Sequence, residues 1–231
     1  MIQNYNDFIK TLLEAGFSMG GGKGDGIYSI VPWSWEETSP YDTPVRWHTG
    51  ELDTDPWEWR IRVLDERDDI AYAKLFFKKS GFITKDWYHY FLAARRMGRS
   101  FEEFYEDGKA SQQAKRIYGV VSTHEVLASH EIKAMAGFSK EEKSGFDRAM
   151  VELQMGMFLT TCGSRQKVSR KGEEYGWSST VFCTTEQFFG KEMSRKAASV
   201  GKDVAYETIR AQVLKLNPLA EEKKIEKFVF G

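Results

Sequence analysis

Residues 111–185 constrain the fold more than any other stretch, because they read as three short helices followed by a two-stranded hairpin with a basic tip. Ser111 is placed to cap a helix carrying Ala114, Ile117, Tyr118 and Val121 at three- and four-residue spacing. Ser129 caps a second with Ile132, Met135 and Ala136, and Gly137 stops it. Ser139, with Glu142 three residues on, is a capping-box signature opening a third helix through Phe146, Met150, Leu153 and Gln154. Residues 158–162 and 180–184 are rich in Thr, Phe, Val and Cys, as strands are. Between them lies Arg165-Gln-Lys-Val-Ser-Arg-Lys171, with cations at Arg165, Lys167, Arg170 and Lys171 and no acid. Helix, helix, helix, hairpin is the order of a winged helix, and a wing of this charge suits contact with a phosphate backbone.

The net charge of −1 conceals a polarised chain. Residues 1–70 carry 14 acids against 6 bases, and the remainder 20 acids against 27 bases. Such a chain can present a basic face to nucleic acid while its acidic part stays clear, although ordinary solvated surface has the same composition. The third helix is balanced: Lys140, Lys143 and Arg148 are offset by Glu141, Glu142, Asp147 and Glu152. No apolar run approaches the roughly 18 residues that span a bilayer, and no basic stretch leads into an apolar one at the amino terminus. A cytoplasmic protein without membrane association is therefore expected. Two cysteines, Cys162 and Cys183, exclude a disulfide framework and a Cys-rich zinc site, and both are expected as small buried thiols. His48, His89, His124 and His130 form no i, i+4 metal pair, so neither metal nor other cofactor is expected.

The first helix is expected over about 6–15, with Phe8, Ile9, Leu12 and Leu13 apolar and Gly16 stopping it. The glycine run of residues 19–26 lacks the preceding strand and the Gly-Lys-Ser/Thr of a phosphate loop, so its glycines read as a turn of positive φ before a strand at 27–31. Residues 32–59 hold five of the seven tryptophans and four of the five prolines. Such a segment is irregular and hard to leave exposed. Trp33, Trp35, Trp47, Trp57 and Trp59 either build core or stack on an unpaired base, and Glu36, Glu37, Asp53, Asp55 and Glu58 are candidate acids or water-positioning groups. Further on, the spacing predicts a short helix at 57–66, a strand at 70–78 with a turn at Ser80-Gly81, and helices begun by Thr84 and Ser100. Two amphipathic helices, 186–200 and 203–216, follow the hairpin. The expected class is α+β, mainly helical, with a winged-helix module at 99–190 between an irregular Trp-rich amino-terminal region at 1–98 and a helical segment at 191–231.

The runs Phe101-Glu-Glu-Phe-Tyr-Glu-Asp-Gly-Lys109, Ala114-Lys-Arg-Ile-Tyr118 and above all Gly145-Phe-Asp-Arg-Ala-Met-Val-Glu-Leu-Gln154 resemble the AlkZ-related proteins, relatives of the AlkZ and YcaQ type of DNA glycosylase. Trp57-Glu-Trp-Arg60 and Ala73-Lys-Leu-Phe-Phe-Lys-Lys79 extend the likeness over about residues 55–185. The resemblance implies tandem winged helices around double-stranded DNA. In the glycosylases it also implies excision of alkylated bases by a Gln-x-Gln or Gln-x-Asp pair that holds the attacking water. Gln3 is the one glutamine in the amino-terminal third, and Gly26-Ile-Tyr-Ser-Ile30 offers Tyr and Ser instead. Three readings follow: a DNA-binding protein whose phosphate contacts include Lys143, Arg148 and the four wing cations; an alkylated-base glycosylase using a carboxylate of the Trp-rich segment; and a protein-interaction module.

Overall fold

The computed structural model describes residues 1–168 and 172–231. Helix α1 (Tyr5–Ala15) begins where the Asn4 side chain accepts from the Asp7 amide and ends at Gly16, whose φ is +88°. A Cβ at Gly16 would lie 2.2 Å from the Trp87 indole, so close packing as well as backbone conformation requires glycine there. Phe8, Ile9 and Leu12 are buried, but Leu13, expected on the same face, is exposed.

Strand β1 (Phe17–Met19) leads into the glycine turn, where Gly21, Gly22, Gly24 and Gly26 all have positive φ as expected. Residues 27–31 form no strand, contrary to expectation. The Ser18 hydroxyl accepts from the Ile30 amide at 3.0 Å, and that of Ser29 donates to Val31 O at 3.0 Å. Side chains thus take bonds that a ladder would have used. The chain then runs irregularly to helix α2 (Pro56–Glu66).

Strands β2 (Ile70–Phe76) and β3 (Lys79–Thr84) form a hairpin. The expected turn at Ser80-Gly81 is displaced: the turn residues are Phe77 and Lys78, at φ +51° and +62°, and Gly81 lies inside β3. Glycine is needed at 81 because a Cβ would stand 2.6 Å from the Phe76 ring and 2.8 Å from Ser18 O. Helices α3 (Lys85–Arg96) and α4 (Phe101–Glu106) follow, the latter with the reciprocal Ser100 and Glu103 bonds of a capping box.

Next come α5 (Gln112–Val121), the short β4 (Leu127–Ala128), α6 (Ser129–Met135) and α7 (Lys143–Met155). Ser139 and Glu142 exchange the expected bonds, but regular helix starts only at Lys143. Strands β5 (Leu159–Val168) and β6 (Glu174–Thr184) reach further toward the tip than expected. The helix expected over 186–200 is broken by Gly190 at φ +79° into α8 (Thr185–Phe189) and α9 (Lys191–Ala198). Helix α10 (Lys202–Leu216) is as expected, whereas α11 (Glu222–Phe230) was not foreseen.

The chain is α+β, with one antiparallel sheet ordered β1-β3-β2-β5-β6-β4. Three apolar clusters pack around it. One, with Phe8, Leu12, Trp33, Trp59 and Phe82, lies under α1 and α2. A second joins α3 to α9, α10 and α11 through Phe91, Met193, Ile209 and Phe228. The third, with Phe101, Ile117, Ile132, Phe146, Met150, Leu153 and Phe182, unites α4 to α7 with β5 and β6. Among the described residues no helix is long and apolar enough to cross a membrane.

Candidate nucleic-acid interface

The two hairpins of the sheet join at a single ladder pair, Tyr72 opposite Thr161. Beyond it the Lys74 amide turns to α7 and donates to Gln154 Oε1 at 2.9 Å, while Gln154 Nε2 donates to Met150 O. A cleft of about 500 Å³ opens there, floored by Tyr72, Lys74, Thr161 and Thr180 and walled by Phe146, Asp147, Met150 and Val151. Arg60, Tyr72 and Ser80 are shared with a second hollow of about 480 Å³ lined by Trp35, Trp47 and Trp57. On the other side Lys74, Asp147 and Val151 are shared with a hollow of about 850 Å³ rimmed by Lys78, Lys143 and Arg148 and by Glu141 and Glu152. The three form one groove from an aromatic cup to a charged rim of four cations and three carboxylates.

In the cup, Trp35 and Trp57 are 66% and 43% exposed. Trp47 is held by an Nε1 bond to Trp33 O, and its ring would collide with any side chain at Gly21. The glycine turn therefore makes room for this tryptophan. The His48 ring lies 4.7 Å from that of Trp57 and 6.3 Å from that of Trp35. Arg60 lies over the Trp57 ring, with Cζ 3.3 Å from the ring centroid and Nε donating to Trp57 O. Among the described residues no carboxylate lies within ion-pair distance of Arg60. A stacked guanidinium without a protein anion, lining both hollows, is a ready phosphate ligand.

The expected tryptophans divide in two. Trp33 and Trp59 are core, Trp59 stacking on Phe8 at 5.0 Å, and only Trp35, Trp47 and Trp57 line the groove. None of the five candidate carboxylates lines it. Asp55 is fully buried: Oδ1 accepts from the His48 and Trp57 amides and Oδ2 from those of Thr49 and Gly50, so it caps α2 and ties down the preceding loop. Glu37 accepts from the Ser34 amide and hydroxyl, and the amide bond chiefly holds its pKa below the usual carboxylate value. Asp53 stands 3.8 Å from Arg62, Glu36 is exposed and Glu58 is half-buried.

Of the expected cations, Lys143 and Arg148 line the groove's rim. Arg165 is turned to Glu131 on α6 at 3.0 Å, and Lys167 sits in β5 opposite Tyr175. Arg170 and Lys171 lie outside the described residues. Arg60, Lys74, Lys78 and Asp147 line the groove without having been singled out for it. One signal was available: Lys74 is the single exposed residue of the otherwise buried strand β2. A lysine in the middle of an apolar strand marks an opening in what covers the sheet.

A family model described as AlkZ related matches residues 2–230, well beyond the part that carries the sequence resemblance. No curated protein and no solved structure matches the chain.

Proposed function

Because the chain belongs to the AlkZ-related family, we propose that it is a DNA-binding protein of the repair-glycosylase kind that lays duplex along this groove. The observation that carries the reading is the continuity of the groove: four cations of β2, the β2–β3 turn and α7, set among Glu141, Asp147 and Glu152, lead directly to exposed tryptophans and an unpaired arginine. In this reading α5, β4, α6, α7, β5 and β6 make a winged helix. Lys74, Lys78, Lys143 and Arg148 neutralise phosphates and position the duplex. Trp35, the more exposed ring, then offers a face on which an unpaired base stacks, with Trp57 and its overlying Arg60 beside it. The family's water-holding glutamine pair has no counterpart, so binding rather than base release is the primary activity.

A second reading, base hydrolysis, is favoured by one observation: Asp147 is the carboxylate lining both the central cleft and the rim. A monofunctional glycosylase needs a group that orients water beside the sugar, and Asp147 is where such a group would stand. Release of base from alkylated duplex by the wild type and not by Asp147→Asn would establish it.

The binding reading is tested by fluorescence anisotropy of labelled duplex across a salt series. Replacing Lys74, Lys78, Lys143 and Arg148 together with Ala should flatten the salt dependence by up to about four contacts at roughly 0.9 per phosphate. No duplex binding by the wild type at about 50 mM salt, where phosphate contacts are strongest, overturns it.

A further inference from the structure

The two cysteines of the chain, far apart in sequence, meet at the base of the β5–β6 hairpin. Cys183 lies opposite Thr160, and Cys162 falls where the register shifts, between Thr161 opposite Phe182 and Gly163 opposite Val181. A bulged residue has no cross-strand partner of its own, and the added twist re-aims its side chain. Here it turns the Cys162 sulfur toward Cys183, close enough for each thiol to shift the other's pKa. Cys183 is buried, whereas Cys162, expected to be buried too, is partly open to solvent. One reachable thiol touching one sheltered thiol is the arrangement of an attacking and a resolving cysteine.

We propose that Cys162 is a modification site for low-molecular-weight disulfides of the glutathione class, and that Cys183 resolves the adduct to a disulfide across the hairpin. The neighbouring thiol favours the first step: Cys183 chiefly lowers the Cys162 pKa below the usual thiol value, against burial, and the Arg165 guanidinium adds a smaller contribution. The Cys162 thiolate attacks one sulfur of the small disulfide, the S–S bond breaks, and one small thiolate leaves and takes up a proton. Cys183 starts with its pKa raised, chiefly because its proton is held on Cys162 and secondarily by burial. Once Cys162 is in a mixed disulfide there is no thiolate to hold that proton. The Cys183 proton then passes to solvent, its sulfur attacks the Cys162 sulfur, and the second small thiolate leaves. Two protein thiols are oxidised to one disulfide and one small disulfide is reduced to two thiols.

Closure would pin the base of the hairpin that carries Arg165 and Lys167. Thr161 and Phe182, each next to one cysteine, line the central cleft, so the modification lies directly behind the groove floor. The chemistry stands whether or not the groove binds DNA.

The test is incubation of the folded full-length chain with oxidised glutathione, followed by thiol counting and intact mass. Wild type should lose both thiols together, with a mass lower by two hydrogens and no linked dimer, and dithiothreitol should restore them. Cys183→Ser should stop at the glutathione adduct on Cys162, and Cys183→Ala should do the same if the serine is poorly accommodated. Cys162→Ser should leave Cys183 unmodified until urea is added. Wild-type thiols that react only in urea, a wild type that stops at the adduct, or a Cys162→Ser chain that reacts as fast as Cys183→Ser would each overturn the proposal.

Discussion

Arg95 is buried without an anion, yet its guanidinium is satisfied. Nε donates to Val229 O, one terminal nitrogen to Leu75 O and Met155 O, and the other to Phe228 O, each at 2.8 Å. Met155 ends α7, and Phe228 and Val229 lie in the last turn of α11. Their carbonyls have no helical partner and carry the negative end of the helix dipole, which stands in for a counter-ion. Burial brings the Arg95 pKa down to about 10, so it stays charged near neutrality. Arg95→Met leaves several buried carbonyls without a donor and should cost about 3–5 kcal/mol in urea unfolding. A change below about 1 kcal/mol would show that the helix ends find other donors. His89, also on α3, is buried with Nδ1 unpartnered, and its pKa is lowered to about 4 by burial first and Lys196 second. The unfolded chain binds this proton near the ordinary value of 6.5 and the folded chain does not. Stability should thus be constant in this respect above pH 6.5 and fall between 6.5 and about 4, by on the order of 2 kcal/mol. His89→Phe should remove that part of the acid slope, and an unchanged slope would clear the histidine.

Helix α7 connects core and groove. Phe146, Met150 and Leu153 are buried, whereas Lys143 and Arg148 face solvent, as the three- and four-residue spacing required. Met150→Asp should therefore destabilise by several kcal/mol, because it buries an unpaired charge, and Lys143→Ala by less than about 0.5 kcal/mol. Equal shifts in thermal unfolding would contradict this face. Elements of this kind were legible because period and cap agreed: Asn4, Ser100 and Ser111 each accept from the amide that their sequence position implies. Sequence failed where the deciding partner is remote. The turn at Phe77-Lys78 has neither Gly nor Asn, while Gly81, which looks like a turn, is a strand residue crowded by Phe76. Ser18 withdraws residues 27–31 from the ladder through one hydroxyl. The site was partly legible for the same reason. Tryptophan density pointed to the right segment, but which rings face out depends on Phe8, Tyr41 and Gly21. Acid spacing could not reveal that Asp55 is enclosed by four amides.

At the scale of the molecule the charge division acquires a geometry. The aromatic cup comes mostly from the acidic first 70 residues and the charged rim from the basic remainder, and the groove crosses the boundary between them. Of the two cations lining the cup, Lys79 is neutralised by Asp25 at 2.7 Å, which leaves Arg60 as the one without an ion pair among the described residues. In the binding reading a duplex would accordingly rest on the rim, where cations outnumber carboxylates by four to three, and only a nucleotide leaving the stack could reach the tryptophans. Binding energy is then expected from two separable sources, one salt-dependent and one not. Trp35→Ala and Trp57→Ala should weaken binding of a duplex with an unpaired base by about 1–3 kcal/mol each while leaving the salt slope of a fully paired duplex unchanged. Emission from Trp35 and Trp57 should also be quenched when the unpaired base is present, whereas Trp59→Phe, a core change beside Phe8, should leave that quenching intact. If both alanine variants bind paired and unpaired duplexes as the wild type does, the cup is surface that nucleic acid does not touch, and the rim alone would carry contact.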